Sequence, residues 1–167
     1  MKTILVWSVA VLLPLLGAAQ TGPSEQERQE LARQINQLLR DPAKPSQEVR
    51  LELQGCHVEH IIRDKEANVK TDQPLAVSIS KGNSDWAVKA SDGKFEMRMG
   101  FDWDGVTSIS YEPARDDNGR RYFELHVQRR TKSSTTTSEL DLHTTDEAQV
   151  KSLVQRLDKL RRSCRPQ

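Results

Sequence analysis

The chain predicts an α+β fold: an antiparallel sheet of seven or eight strands, bent or partly open as a barrel, capped by a C-terminal helix and preceded by an N-terminal one. Three observations predict it. Apolar residues recur at helical spacing in two segments, around residues 31–39 and 150–160. Between them, from residue 47 to residue 142, the apolar period is two. Tight-turn sequences such as Ser91-Asp92-Gly93 and Asp116-Asp117-Asn118-Gly119 punctuate that stretch.

The first residues follow a different pattern. Lys2 is the only charged residue before Glu25, and the apolar run Ile4–Leu16 leads to the small residues Gly17-Ala18-Ala19. Charge, apolar core and small residues in that order predict a cleavable secretory signal over residues 1–19, with the cut before Gln20. The run is shorter than the roughly 20 residues of a spanning helix and is broken by Pro14. The organisation expected is therefore 1–19 signal peptide, 20–46 N-terminal helix and linker, and 47–167 a β domain with its C-terminal helix. The destination is secreted or periplasmic, with no transmembrane segment after cleavage.

The N-terminal helix begins at Ser24, where Ser24 and Glu27 form a capping box. Leu31, Ile35, Leu38 and Leu39 make its stripe, and it stops by Arg40-Asp41-Pro42, with residues 42–45 as a linker. Val49, Leu51 and Leu53 then alternate with charged residues on a half-buried strand. The parity slips at Gly55, where a turn or bulge is expected, and Cys56, Val58, His60 and Ile62 follow. Leu75, Val77 and Ile79 form the next strand, closed by the turn Lys81-Gly82-Asn83, and Trp86, Val88 and Ala90 the one after. Phe95, Met97, Met99 and Phe101 alternate up to a turn at Asp104-Gly105, and Thr107, Ile109 and Tyr111 continue. The turn at residues 116–119 feeds Phe123, Leu125 and Val127, and a polar loop at Lys132-Ser133-Ser134 leads to Leu140 and Leu142. The last helix is capped by Thr145, with Asp146 and Glu147 at the positive end of its dipole and Lys159, Arg161 and Arg162 at the negative end. Val150, Leu153, Val154, Leu157 and Leu160 form its stripe.

The stretch from Ser138 to Leu157, Ser-Glu-Leu-Asp-Leu-His-Thr-Thr-Asp-Glu-Ala-Gln-Val-Lys-Ser-Leu-Val-Gln-Arg-Leu, resembles the last strand and closing helix of pleckstrin-homology-like domains. The order of elements over residues 47–163 agrees with it. The resemblance implies a bent sheet capped at one corner by the helix. Relatives that bind phosphoinositides carry basic residues between the first two strands. Neither Gln54-Gly55-Cys56 nor the segment around Lys65 has such a cluster, and export separates the domain from those lipids. A lipocalin-like calyx is the rival architecture. Against it, no strand follows the last helix and no Gly-x-Trp marks the first strand.

Composition bounds the function. Cleavage removes Lys2 and leaves acidic and basic side chains equal in number, which argues against a nucleic-acid partner. The two cysteines, Cys56 and Cys164, are expected to form one disulfide in an oxidising compartment. Cys56-x-x-Glu59 is not the redox CxxC pattern. In Cys56-His57-Val58-Glu59-His60, strand geometry turns His57 and His60 to opposite faces, so at most two ligands converge and no metal site is expected. Asp102-Trp103-Asp104-Gly105 lacks the remaining ligands of a calcium loop and reads as a turn. No Gly-x-Ser-x-Gly elbow or Gly-rich phosphate loop occurs, and neither catalytic residues nor a cofactor are expected.

Two features bear on binding. Arg115, Arg120, Arg121, Arg129, Arg130 and Lys132 crowd one hairpin and suggest a surface for an anionic partner, diluted by Glu112, Asp116 and Asp117. Trp86, Trp103, Phe95, Met97, Met99 and Phe101 read first as core, and otherwise as an apolar pocket or adaptable binding surface. The function expected is an exported, non-enzymatic binding or interaction module for a protein or polar ligand. The alternative is a lipocalin-like carrier of a small apolar ligand, followed by a metal-dependent enzyme.

Overall fold

The computed structural model describes residues 22–81, 84–131 and 134–165. The expected signal peptide, the turn residues Gly82 and Asn83, and Lys132 with Ser133 lie outside the described residues. The elements in order are helix α1 (Glu25–Leu38), strands β1 (Gln47–Gln54), β2 (His57–Asp64), β3 (Leu75–Lys81), β4 (Ser84–Ser91) and β5 (Lys94–Asp102), a short 3-10 turn (Trp103–Gly105), strands β6 (Val106–Arg115), β7 (Arg121–Arg130) and β8 (Thr135–Leu142), and helix α2 (Glu147–Ser163). The fold is α+β, as the periodicities predict.

The eight strands form two antiparallel sheets, not closed into a barrel. One has five strands in the order β1-β2-β5-β4-β3 and the other three in the order β6-β7-β8. The hairpin β3–β4 is therefore inserted on the far side of β5, and β2 pairs with β5 across it. The turn Trp103–Gly105 carries the chain from one sheet to the other. The parity slip at Gly55 is a tight turn: Gln54 pairs with His57, and Gly55 takes φ +61°, a left-handed conformation that favours glycine.

Both helices start at a side chain that accepts from a first-turn N–H. The Ser24–Glu27 capping box is present in both directions, at 3.2 and 2.7 Å. The cap of α2 is Asp146, whose carboxylate accepts from the Gln149 N–H. The expected cap, Thr145, lies one residue too early, because Thr144 Oγ1 holds the Asp146 N–H and turns the chain first. The stripes of α1 (Leu31, Ile35, Leu38) and α2 (Val150, Leu153, Leu157, Leu160) meet the inner faces of both sheets in one core, with Leu51, Leu53, Val58, Phe101, Trp103, Leu125, Leu140 and Leu142 among its members. The disulfide Cys56–Cys164 ties the β1–β2 turn to the end of α2, with its Cα atoms 5.6 Å apart.

The outer face of the five-stranded sheet is polar and ion-paired. Arg63 and Arg98 both bind Glu96, at 2.5 and 2.8 Å, and Arg98 reaches Glu59 at 3.4 Å. Hydrogen bonds from Arg98 and then Arg63 hold the Glu96 carboxyl below the usual carboxylate range. Gly100 belongs here too. A Cβ at that position would stand 2.1 Å from Asp85 Oδ1.

Candidate functional site

The inner face of the five-stranded sheet is built from straight apolar rows. One row reads Leu51, His60, Met99, Trp86, Ile79 across the five strands, and the next reads Val49, Ile62, Met97, Val88, Val77. Period-two alternation on each strand, held in register by unbulged pairing, produces these rows. Burial falls along them. In the first row, Leu51 is 4% exposed and His60 7%, whereas Trp86 is 39% and Ile79 49% exposed. Leu75 and Val77 are likewise exposed, at 55% and 40%. Met97, Met99, Val88 and Phe95 are half-buried between the two regimes.

The cause is a mismatch of width. Strands lie roughly 4.8 Å apart, so a three-stranded layer cannot span a five-stranded one. The space lined by Leu51, Val58, His60, Phe101, Leu125, Val127 and Leu140 lies between the sheets and marks where they oppose each other. Helix α1 packs on β1, and α2 packs on β6 and the 3-10 turn. Neither helix reaches β3 or β4 in any extended contact. The expectation that all six large aromatic and methionine residues form core is thus corrected. Phe101 and Trp103 are core, Trp86 is exposed, and Phe95, Met97 and Met99 form the margin.

Two polar groups mark the boundary between the covered and open halves. His60 sits in the first row, and its Nε2 is buried without a partner. Burial depresses its pKa from 6.5 to about 4, so the ring is neutral at pH 7. Arg129 ends the inward row Phe123, Leu125, Val127 on β7, and its guanidinium lies 4.1 Å above the Phe101 ring. Burial lowers the Arg129 pKa from its usual value.

The expected cationic patch is not gathered. Arg115, Arg120 and Arg121 stand at the turn end of the β6–β7 hairpin, and Arg129 and Arg130 at the other end of β7, roughly 30 Å away along the strand. Arg129 points inward. Arg120 is ion-paired with Asp116 at 2.5 Å and with Asp41 at 3.6 Å. The Cys56–His60 segment is also dispersed as strand geometry predicts: Cys56 is in the disulfide, His57 bonds Asp102 at 2.8 Å, and His60 is internal. A grouping the sequence reading missed is Glu112, Glu124 and His126, whose ligand atoms lie within 4.8 Å of one another on the outward face of β6 and β7. The hairpin register that pairs Arg115 with Arg121 also sets Glu112 opposite Glu124, so the turn sequence at 116–119 was the usable signal.

The space between the sheets lined by Val58, Phe101, Leu125 and Val127 is about 10 Å³. A second space of about 170 Å³, where β1 and β2 face β8, is lined by the apolar Leu39, Val49, Ile62 and Leu140 as well as by Asp41, Lys44, Glu139 and Asp141. No helix among the described residues is long and apolar enough to cross a membrane. No protein-family model, curated protein or solved structure matches this chain.

Proposed function

We propose that this is an exported, non-enzymatic interaction module of pleckstrin-homology-like build, and that it binds its partner on the open apolar face of β3, β4 and β5. The observation that carries this reading is the exposure of Leu75, Val77, Ile79 and Trp86 on one contiguous face. An apolar surface of that kind, rimmed by polar residues, is characteristic of a binding site. Trp86, Met97 and Met99 supply the adaptable contacts that such surfaces use. The disulfide Cys56–Cys164 accords with an oxidising compartment.

A calyx carrier would need an enclosed apolar cavity of about 300 Å³ or more. The open sheets and the small space between them do not favour that reading among the described residues.

The test places a photo-crosslinking side chain at Ile79, on the apolar face, or at Glu52, on the outward face of the far edge strand β1. The expected outcome in the protein's own medium is an adduct of defined mass from position 79 and none from position 52. Equal labelling from both positions, or from neither, refutes the reading.

A further inference from the structure

The two sheets have four edge strands, β1, β3, β6 and β8, and three of them are guarded. At β1, the Asn36 amide of α1 occupies the outward backbone groups of Leu51: its Nδ2 donates to the Leu51 carbonyl at 2.9 Å, and its Oδ1 accepts from the Leu51 N–H at 2.7 Å. That strand also carries Glu48, Arg50 and Glu52. At β6, Arg161 of α2 donates to the Thr107 carbonyl at 2.9 Å, and Pro113 offers no N–H. At β8, Glu139 and Asp141 lie on the strand, and just past its end the His143 N–H donates to the Leu38 carbonyl of α1 at 2.7 Å. These are recognised means of preventing edge-to-edge pairing.

Among the described residues, the body of strand β3 has none of them. From Leu75 to Ser80 it reads Leu-Ala-Val-Ser-Ile-Ser, with Pro74 just before it and one charge, Lys81, at its end. Its pairing with β4 is regular, without a bulge that would twist the edge away. Among the described residues, no backbone hydrogen bond from a loop or turn reaches it. A sheet edge left bare over six residues, beside three that are guarded, presents that segment for pairing.

The sequence of β3 also matches itself. Directly opposed residues of an antiparallel pair point to the same face. With a two-fold axis through Val77, Val77 meets Val77 of the other copy, Leu75 meets Ile79, and Ala76 meets Ser78. All three apolar residues then face apolar residues, and small residues face small residues on the opposite side. Displacing the register by one residue would set the apolar face of one copy beside the polar face of the other. An axis at Ser78 would oppose Leu75 to Lys81, and an axis at Ala76 would oppose Ile79 to Gln73.

We infer that β3 pairs antiparallel with β3 of a second copy about an axis at Val77, joining two five-stranded sheets into one with a continuous apolar face. The inference goes beyond the proposed function: the second copy takes the β3 edge and widens the apolar face, which it leaves open for the partner.

Sedimentation of the chain from residue 20 onward, over a concentration series reaching the millimolar range, tests it. The expected result is a reversible monomer–dimer equilibrium for the wild type. In Val77→Lys, which places like charges opposite each other at the axis, dimerisation should weaken by at least about tenfold, with the fold intact by circular dichroism. A wild type that stays monomeric, or a Val77→Lys variant that dimerises equally, overturns the inference. Should Val77→Lys fail to fold, Val77→Cys serves instead. It should oxidise to an intermolecular disulfide faster than Ser80→Cys, whose opposite residue is Pro74, and the reverse order overturns the inference. The crosslinker at Ile79 separates the two ideas. An adduct with a different protein, from a monomeric wild type, leaves the binding face standing and removes the second copy from the β3 edge. No adduct and no dimer remove both.

Discussion

Replacing His60 by leucine isolates the cost of keeping a histidine uncharged inside the sheet. The ring is 7% exposed, between Leu51 and Met99 in its row, and its pKa falls from 6.5 to about 4 because burial penalises the charged form. The unfolded chain binds a proton at this residue from about pH 6.5 downward, and the folded chain does not until about pH 4. Protons bound in excess by the unfolded state make stability fall as pH drops through that window. The contribution is complete above pH 6.5. It is lost progressively to about pH 4, below which both states carry the proton. At about 1.36 kcal/mol per pH unit, the full loss is on the order of 3 kcal/mol. Urea unfolding at pH 7.5 and pH 4.5, for wild type and His60→Leu, measures it. Every other side chain is common to both proteins, so its contribution cancels in the double difference. The wild type should lose about 2–3 kcal/mol more than the variant between those pH values. At pH 7.5 the variant should be at least as stable as the wild type, because it also removes the unpartnered Nε2. Parallel pH dependences, or a His60 ring that titrates near 6.5 in the folded protein by NMR, would refute the reasoning.

Other outcomes follow from particular contacts. The Cys56→Ser/Cys164→Ser double variant opens a loop with a sequence separation of 108 residues, and chain entropy sets the expected loss at up to about 4–5 kcal/mol, read from chemical denaturation. Asn36→Ala removes both bonds to Leu51 at the β1 edge and should cost about 1–3 kcal/mol, with faster amide exchange at Leu51. Ser24→Ala breaks the capping box and should cost about 1 kcal/mol by thermal unfolding, with fraying confined to the first turn of α1.

Most elements were legible in the sequence because each rests on local periodicity. The stripe Val150, Leu153, Leu157, Leu160 needs only the helical repeat, and Phe123, Leu125, Val127 only the pleat. The Cys56–Cys164 pairing was legible from there being two cysteines. The candidate site was not. Trp86 and Phe101 carry the same local signal, an apolar residue on an alternating strand, yet Phe101 lies under Arg129 and Trp86 does not lie under the second sheet. Alternation says that two residues share a face. It does not say whether another layer covers that face. The arginines fail for the related reason that nearness along a hairpin is not nearness in space: Arg121 and Arg130 stand at opposite ends of one strand.

By itself, the sequence determined the α+β class, the succession of strands between two helices, a break in parity at Gly55 and the identity of the disulfide partners. These depend on interactions a few residues apart or on simple counting. The tertiary structure decided that the strands divide five and three, that the β3–β4 hairpin lies outboard of β5, and that no described residue outside its own hairpin guards the β3 edge from Leu75 to Ser80. Those outcomes depend on which distant surfaces meet. That is set by the summed packing of both sheets and both helices and is encoded in no single segment.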